Sequence, residues 1–169
     1  TQGIVSATGN VVTDGYFVDI RQAAQGYATE TSGSQNIIVS GNKFKNCWHG
    51  YSTTGTGMPS RFITVTVNIV YDGTYYAYNT HYGAEYIKFV NNVAISCAGG
   101  IDIRTPNSYV ENNIIYRPSA NQGINIISDA TIGSTIKNNE IYYAPGAGIY
   151  VGAGASTAAI DGLTISGNR

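Results

Sequence analysis

Residues 87–103 read Ile87-Lys88-Phe89-Val90-Asn91-Asn92-Val93-Ala94-Ile95-Ser96-Cys97-Ala98-Gly99-Gly100-Ile101-Asp102-Ile103. Ile87 and Phe89 alternate with polar neighbours, an Asn follows, and Ala94 is apolar again. After a short gap, Gly100 opens a second alternation at Ile101 and Ile103. A period of two is the signature of a strand with one face inward. The same pattern returns through the chain: Ile37, Val39, Asn42, Phe44; Ile63, Val65, Asn68, Val70; Val110, Asn113, Ile115; Ile136, Asn139, Ile141; Leu163, Ile165, Asn168. The asparagines are separated by 26, 24, 21, 26 and 29 residues, and a weaker first copy falls at Asn10 and Val12. The second alternation keeps phase with the first at Gly123-Ile124-Asn125-Ile126 and Gly148-Ile149-Tyr150-Val151. Gly50-Tyr51-Ser52-Thr53 and Tyr76-Ala77-Tyr78-Asn79 take the same slot less cleanly, and Val18-Asp19-Ile20-Arg21 matches Ile101-Asp102-Ile103-Arg104 well.

Strands this short, recurring one period apart with no two-residue reversals between them, stack like on like in parallel. Parallel connections are almost always right-handed. The reading is therefore an all-β, right-handed single-stranded parallel β-helix of about six coils, with residues 1–169 forming a single domain and a segment of a longer chain. The repeated asparagines suit sharp corners, and their amides can hydrogen-bond from coil to coil. Cys47 and Cys97 each lie five residues after an Asn, so they fall in one column two coils apart. That is too far for a disulfide, and two free, buried thiols are expected.

Composition narrows the function. Nine Lys and Arg against ten Asp and Glu give a formal charge of −1, without the basic surplus of a nucleic-acid binder. No apolar run reaches the roughly 18 residues that a membrane helix needs. Neither nucleic acid nor membrane insertion is expected. Two His without acidic companions at ligand spacing leave no metal or cofactor to predict.

The motifs Ile-x-Phe-x-x-Asn-x-Ala at Ile87 to Ala94 and Gly-Ile-Asp-Ile at Gly100 to Ile103 resemble the pectate-lyase-like β-helix superfamily, over nearly the whole chain. Within it, irregular repeat lengths and abundant Gly, Asn, Ser and Tyr most resemble a bacteriophage tailspike or polysaccharide depolymerase fragment. The resemblance implies a homotrimer, in the virion or otherwise extracellular, that binds and in some cases cleaves bacterial surface polysaccharide. A non-catalytic segment of a tail appendage and a secreted polysaccharide lyase stay open as alternatives. It also implies that sugar lies along the face built from the Gly-Ile-x-Ile strands.

Read by pattern, the outward column of that face is Asp19, Ser52, Tyr78, Asp102, Asn125 and Tyr150, with Arg21, Thr54, Thr80 and Arg104 two residues along. Asp19, Tyr78, Asn125 and Tyr150 are the expected substrate contacts. Asp102, Arg104 and Glu85 are the candidate catalytic residues, because hydrolysis needs two carboxyls at set spacing and elimination a base and a cation. An Asp and an Arg two residues apart on a strand also form a plain ion pair, which is the simpler reading. Tyr71, Tyr75, Tyr76, Tyr78, Tyr82, Tyr86 and His81 crowd a polar stretch, either a loop over the groove or a subunit contact. His49 beside Trp48 reads as packing.

Overall fold

The computed structural model describes residues 9, 11–20, 26–53, 59–127, 132–152 and 162–169. Among these every strand pairing is parallel, and the strands stack in three sheets as a solenoid of about five turns, close to the six expected. The first sheet has seven strands: β1 (Val11–Thr13), β4 (Ile38–Ser40), β7 (Arg61–Thr66), β10 (Glu85–Val90), β13 (Tyr109–Glu111), β16 (Thr135–Lys137) and β19 (Thr164–Ser166). The second holds β2 (Tyr16–Val18), β5 (Lys43–Lys45), β8 (Ile69–Tyr71), β11 (Val93–Ile95), β14 (Ile114–Tyr116) and β17 (Glu140–Tyr142). The third holds β3 (Tyr27–Thr31), β6 (His49–Thr53), β9 (Tyr76–Asn79), β12 (Gly99–Ile103), β15 (Ile124–Ile127) and β18 (Ile149–Gly152).

Alternation sets what is inside. Ile63, Val65, Ile87, Phe89, Ile101, Ile103, Ile124 and Ile126 are fully buried, and Ile149 and Val151 are partly buried against the same core. Stacking like on like lets each apolar side chain meet its equivalent one coil away: Ile63 pairs with Ile87, and Ile101 with Ile124.

The asparagines form an unbroken ladder. Each side-chain N–H donates to the next carboxamide oxygen, from Asn42 through Asn68, Asn92, Asn113 and Asn139 to Asn168, at 2.9–3.1 Å. Each oxygen also accepts the backbone N–H of the coil before it, as Asn92 does from Asn68 at 3.1 Å. Buried polar groups are costly unless paired, and here each amide satisfies its neighbours. In the first coil the ladder position is Gly15, whose N–H donates to the Asn42 side chain. Asn10, the expected first copy, lies outside the described residues. The ladder residue is also not the one that turns. The left-handed backbone belongs to its predecessor: Gly41, Val67, Asn91, Asn112, Asn138 and Gly167.

Cys47 and Cys97 are free and buried, as expected. They share a column with Gly73 between them, since Thr74 N–H reaches the Cys47 carbonyl and Ala98 N–H the Gly73 carbonyl.

Two expected registers are corrected. The slot assigned to Val18–Arg21 is filled by β3, Tyr27–Thr31, pairing with β6; Asp19 instead sits at a left-handed corner after β2, and Arg21 lies outside the described residues. Tyr78 points inward. Gly99 rather than Gly100 stands opposite Tyr76, so Tyr78 pairs with Ile101 and Tyr51. Its ring lies 5.9 Å from that of Phe89, and its hydroxyl donates to the backbone carbonyls of Asn68 and Val93. Those two acceptors let a Tyr occupy a position that the pattern reserves for an aliphatic residue.

Candidate functional site

The third sheet presents a strip of outward positions, one per coil: Glu30, Ser52, Asn79, Asp102, Asn125 and Tyr150. Glu30 stands opposite Ser52, Asp102 between Asn79 and Asn125, and Asn125 opposite Tyr150. The first five are nonetheless buried, while Tyr150 is 47% exposed. An outward polar strip with its charges shielded from water differs from the open face expected of it. Thr54 lies outside the described residues, and Thr80 is buried, its hydroxyl accepting the backbone N–H of Arg104.

Asp102 is the hub. Its Oδ1 accepts the Asn125 amide at 2.9 Å and its Oδ2 accepts Arg104 Nε at 2.8 Å. Burial pushes the Asp102 carboxyl above its usual range, and the guanidinium and the Asn125 amide pull it part of the way back. Burial works against the charge on Arg104 too, and Asp102 more than offsets it, so the guanidinium is held more firmly protonated than usual. The Arg104 side chain is 23% exposed. Only Nε is used, and among the described residues the two terminal nitrogens meet no acceptor.

Aromatic rings gather around this pair. Trp48 stacks on Tyr75 at 4.8 Å, and Tyr27 on His49 at 5.3 Å. The charge of Arg104 is near enough to lower the proton affinity of Tyr27, His49, Tyr76 and His81. His49 Nδ1–H donates to the Tyr76 carbonyl at 2.6 Å, since a carbonyl can only accept. Its Nε2 is then the lone-pair nitrogen, facing the Asn79 amide N–H at 3.4 Å. That fixes the amide orientation and leaves Asn79 Oδ1 buried without a donor. Burial, with Arg104 and His81 adding to it, pushes the His49 imidazole down to about 3, so it is neutral.

The structure thus brings together Asp102, Arg104 and Asn125 by direct bonds, with Tyr150 next in register. It does not bring Glu85 or Asp19 to them. Glu85 pairs with Arg61 at 3.3 Å on the first sheet, and Asp19 accepts the Asn46 amide at its corner. The other carboxyl on the strip, Glu30, is three coils from Asp102, about 14 Å between Cα atoms at the usual strand spacing. Retention needs about 5 Å between carboxyls and inversion about 6.5–9.5 Å. Each oxygen of Asp102 accepts one of these hydrogen bonds, and the one from Nε fixes the Arg104 side chain. Glu30, Tyr27 and Asn79 were missed by sequence reasoning. β3 reads Tyr-Ala-Thr-Glu-Thr with no Gly-Ile to mark it, although its alternation could have been found by stepping one period back from β6.

A rod of parallel coils with a polar, aromatic-rimmed strip along one flank defines a β-helix whose outer surface binds partners or scaffolds them. The chain belongs to the NosD family: the family model described as periplasmic copper-binding protein (NosD) matches residues 2–169, and this family is part of the right-handed parallel β-helix superfamily. No curated protein matches the chain. The family's setting is outside the cytoplasm. The match carries the fold and that setting, and lends no support to a phage tailspike, its trimer or its depolymerase activity.

Copper takes imidazole, thiolate or thioether ligands. Both ring nitrogens of His49 are engaged. The thiols of Cys47 and Cys97 lie two coils apart and buried; burial raises both, Cys97 to about 12. Met58, the one methionine, lies outside the described residues. Among the described residues no three of His, Cys, Asp and Glu come together. Those residues do not fit a copper centre.

Proposed function

We propose that this chain is a binding protein of the extracytoplasmic space that holds an acidic polysaccharide on its third sheet, without turnover. The observation that carries the reading is Arg104: a guanidinium anchored through Nε by a buried carboxylate, with both terminal nitrogens unused at a partly open position. That planar fork matches a uronate carboxylate or a sulfate in bidentate fashion. Tyr82 and Tyr150, both exposed, offer amphipathic rings to sugar faces. The surroundings that shift the Asp102 carboxyl are burial, Arg104 and Asn125, with no second carboxyl among them, and Glu85 is paired with Arg61 on the first sheet, which favours binding over cleavage. Bacterial surface polysaccharide is the ligand class that the superfamily resemblance supplies, and a trimeric tailspike is its narrower form.

The test is calorimetric titration with oligogalacturonate and with the neutral oligogalactose of equal length. Arg104→Ala should weaken the acidic ligand at least tenfold and leave the neutral one unchanged, with the melting temperature within a few degrees of the parent. Arg104→Lys keeps the charge without the fork and should recover only part of the loss. Equal affinity of parent and Arg104→Ala for the acidic oligomer would remove the basis of this reading. Reducing ends or unsaturated products accumulating with the parent would overturn the claim of binding without turnover.

A further inference from the structure

The corner where the third sheet passes into the first carries one left-handed residue per coil. In register these are Asn36, Phe62, Tyr86, Asn107, Gly133 and Gly162, all with φ between 55° and 66°. Asn and Gly are the residues this backbone favours. Phe and Tyr are not, and a bulky residue there is a genuine outlier. Val67, Ser96, Arg117 and Tyr143 are further exceptions at other corners, with Arg117 and Tyr143 on consecutive coils, but among the described residues Phe62 and Tyr86 are the one case of two aromatic exceptions on consecutive coils of one column. Nor are they hidden: Phe62 is 53% exposed and Tyr86 42%. Their rings stack at 5.1 Å, 13° from parallel. Each therefore has one face covered by the other, while the next positions up and down the column are only Asn36 and Asn107.

Two polar observations adjoin the pair. Phe62, Tyr86, Thr64 and Lys88 line a shallow hollow of 280 Å³, and Lys88 makes no ion pair among the described residues. Beside Phe62, Arg61 gives one terminal nitrogen to Glu85, while its Nε is buried with no acceptor. Strain kept at an exposed site points toward a role at the surface. An aromatic stack with free ring faces, an unpaired ammonium and a hydroxyl together suit the apolar face and the carboxylate of a sugar acid.

We propose that Phe62 and Tyr86 form a stacking platform for a uronic-acid residue whose carboxylate is taken by Lys88. Asn107, next in the column after Tyr86, lies three residues beyond Arg104 along the chain. The platform thus belongs to the same corner as Arg104, and one acidic chain can cross from the third sheet onto the first. This deepens the glycan-binding reading and names a second contact zone for it, on observations independent of Arg104.

The experiment uses the whole chain, trigalacturonate as probe and galactotriose as neutral control. Phe62→Asn/Tyr86→Asn installs the residue this backbone favours. Affinity for trigalacturonate should fall at least tenfold, with a melting temperature equal to or above the parent's. Lys88→Gln should lower the affinity for trigalacturonate severalfold and leave galactotriose unaffected. Unchanged affinity in the double variant while Arg104→Ala binds weakly overturns the platform and leaves the Arg104 site standing. Failure of the parent to bind trigalacturonate at millimolar concentration overturns both. A lowered melting temperature with affinity unchanged assigns the pair to packing, and loss of a dimer by sedimentation without loss of affinity assigns it to contact between copies; each result overturns the proposal.

Discussion

A single amide shows how much each rung of the ladder does. Asn92 donates to the Val65 carbonyl and to Asn113, and accepts from both the backbone and the side chain of Asn68. Asn92→Ala removes four bonds, strands the backbone N–H of Asn68 in a buried place and takes from the Val65 carbonyl one of its donors. A buried orphan costs about 1–3 kcal/mol, and each further bond lost about 0.5–1.5 kcal/mol. A loss of roughly 3–5 kcal/mol is expected, read from the midpoint of urea unfolding with the slope unchanged. Asn92→Asp keeps the acceptor but no longer donates to Val65 or Asn113, and it buries a charge, so it should fare no better. Asn46, at a corner outside the ladder, provides the control: Asn46→Ala should cost well under half as much.

At the level of strands, glycine marks where coils come closest. A Cβ on Gly100 would lie 2.3 Å from the Gly123 carbonyl oxygen and 2.6 Å from Ile115 Cδ1. The first of these contacts is backbone and cannot rotate away. Gly100→Ala should therefore destabilise by about 1–3 kcal/mol, as overpacking does, with a matching fall in melting temperature. Gly148 has nothing closer than 3.9 Å, and Gly148→Ala should be nearly silent. Strand order and the inward residues were legible in the sequence because apolar side chains of similar size repeat at fixed offsets from each Asn. β9 misled by one residue because Tyr can face a core when carbonyls await its hydroxyl, which periodicity does not record. The site was half legible: Asp102, Arg104 and Asn125 sit on one strip and do meet. That the strip is buried, and that Glu85 belongs to another sheet's ion pair, depends on what lies across each face, which spacing along one chain does not specify.

For the molecule as a whole, the buried imidazole governs the response to acid. The folded-state value of His49 is about 3, against about 6.5 when unfolded. The unfolded chain therefore binds the extra proton first. Stability is fully present above about pH 6.5 and declines as pH falls toward 3, with a limiting slope near 1.4 kcal/mol per pH unit. His81, shifted in the same direction, adds to the slope. Asp102 and Glu30, whose carboxyls burial raises, take up protons earlier in the folded state than in the unfolded one and offset part of the loss at the acid end. Urea unfolding at pH 7 and pH 5 should show the parent losing about 1–2 kcal/mol. His49→Gln, which cannot charge, should lose much less between the two pH values; an equal loss would mean that other groups set the acid limit.

The amide ladder has a direction: every rung gives its N–H toward the C-terminal end and receives from the N-terminal side. Because rungs connect only head to tail, the rod is counted in whole coils. Excising the stretch after Asn68 up to and including Asn92 would rejoin the series at Asn113 without loose ends, whereas a cut of half that length would leave a rung facing nothing. Such a molecule lengthens or shortens by duplication and loss of integral units, much as a zip gains or loses teeth.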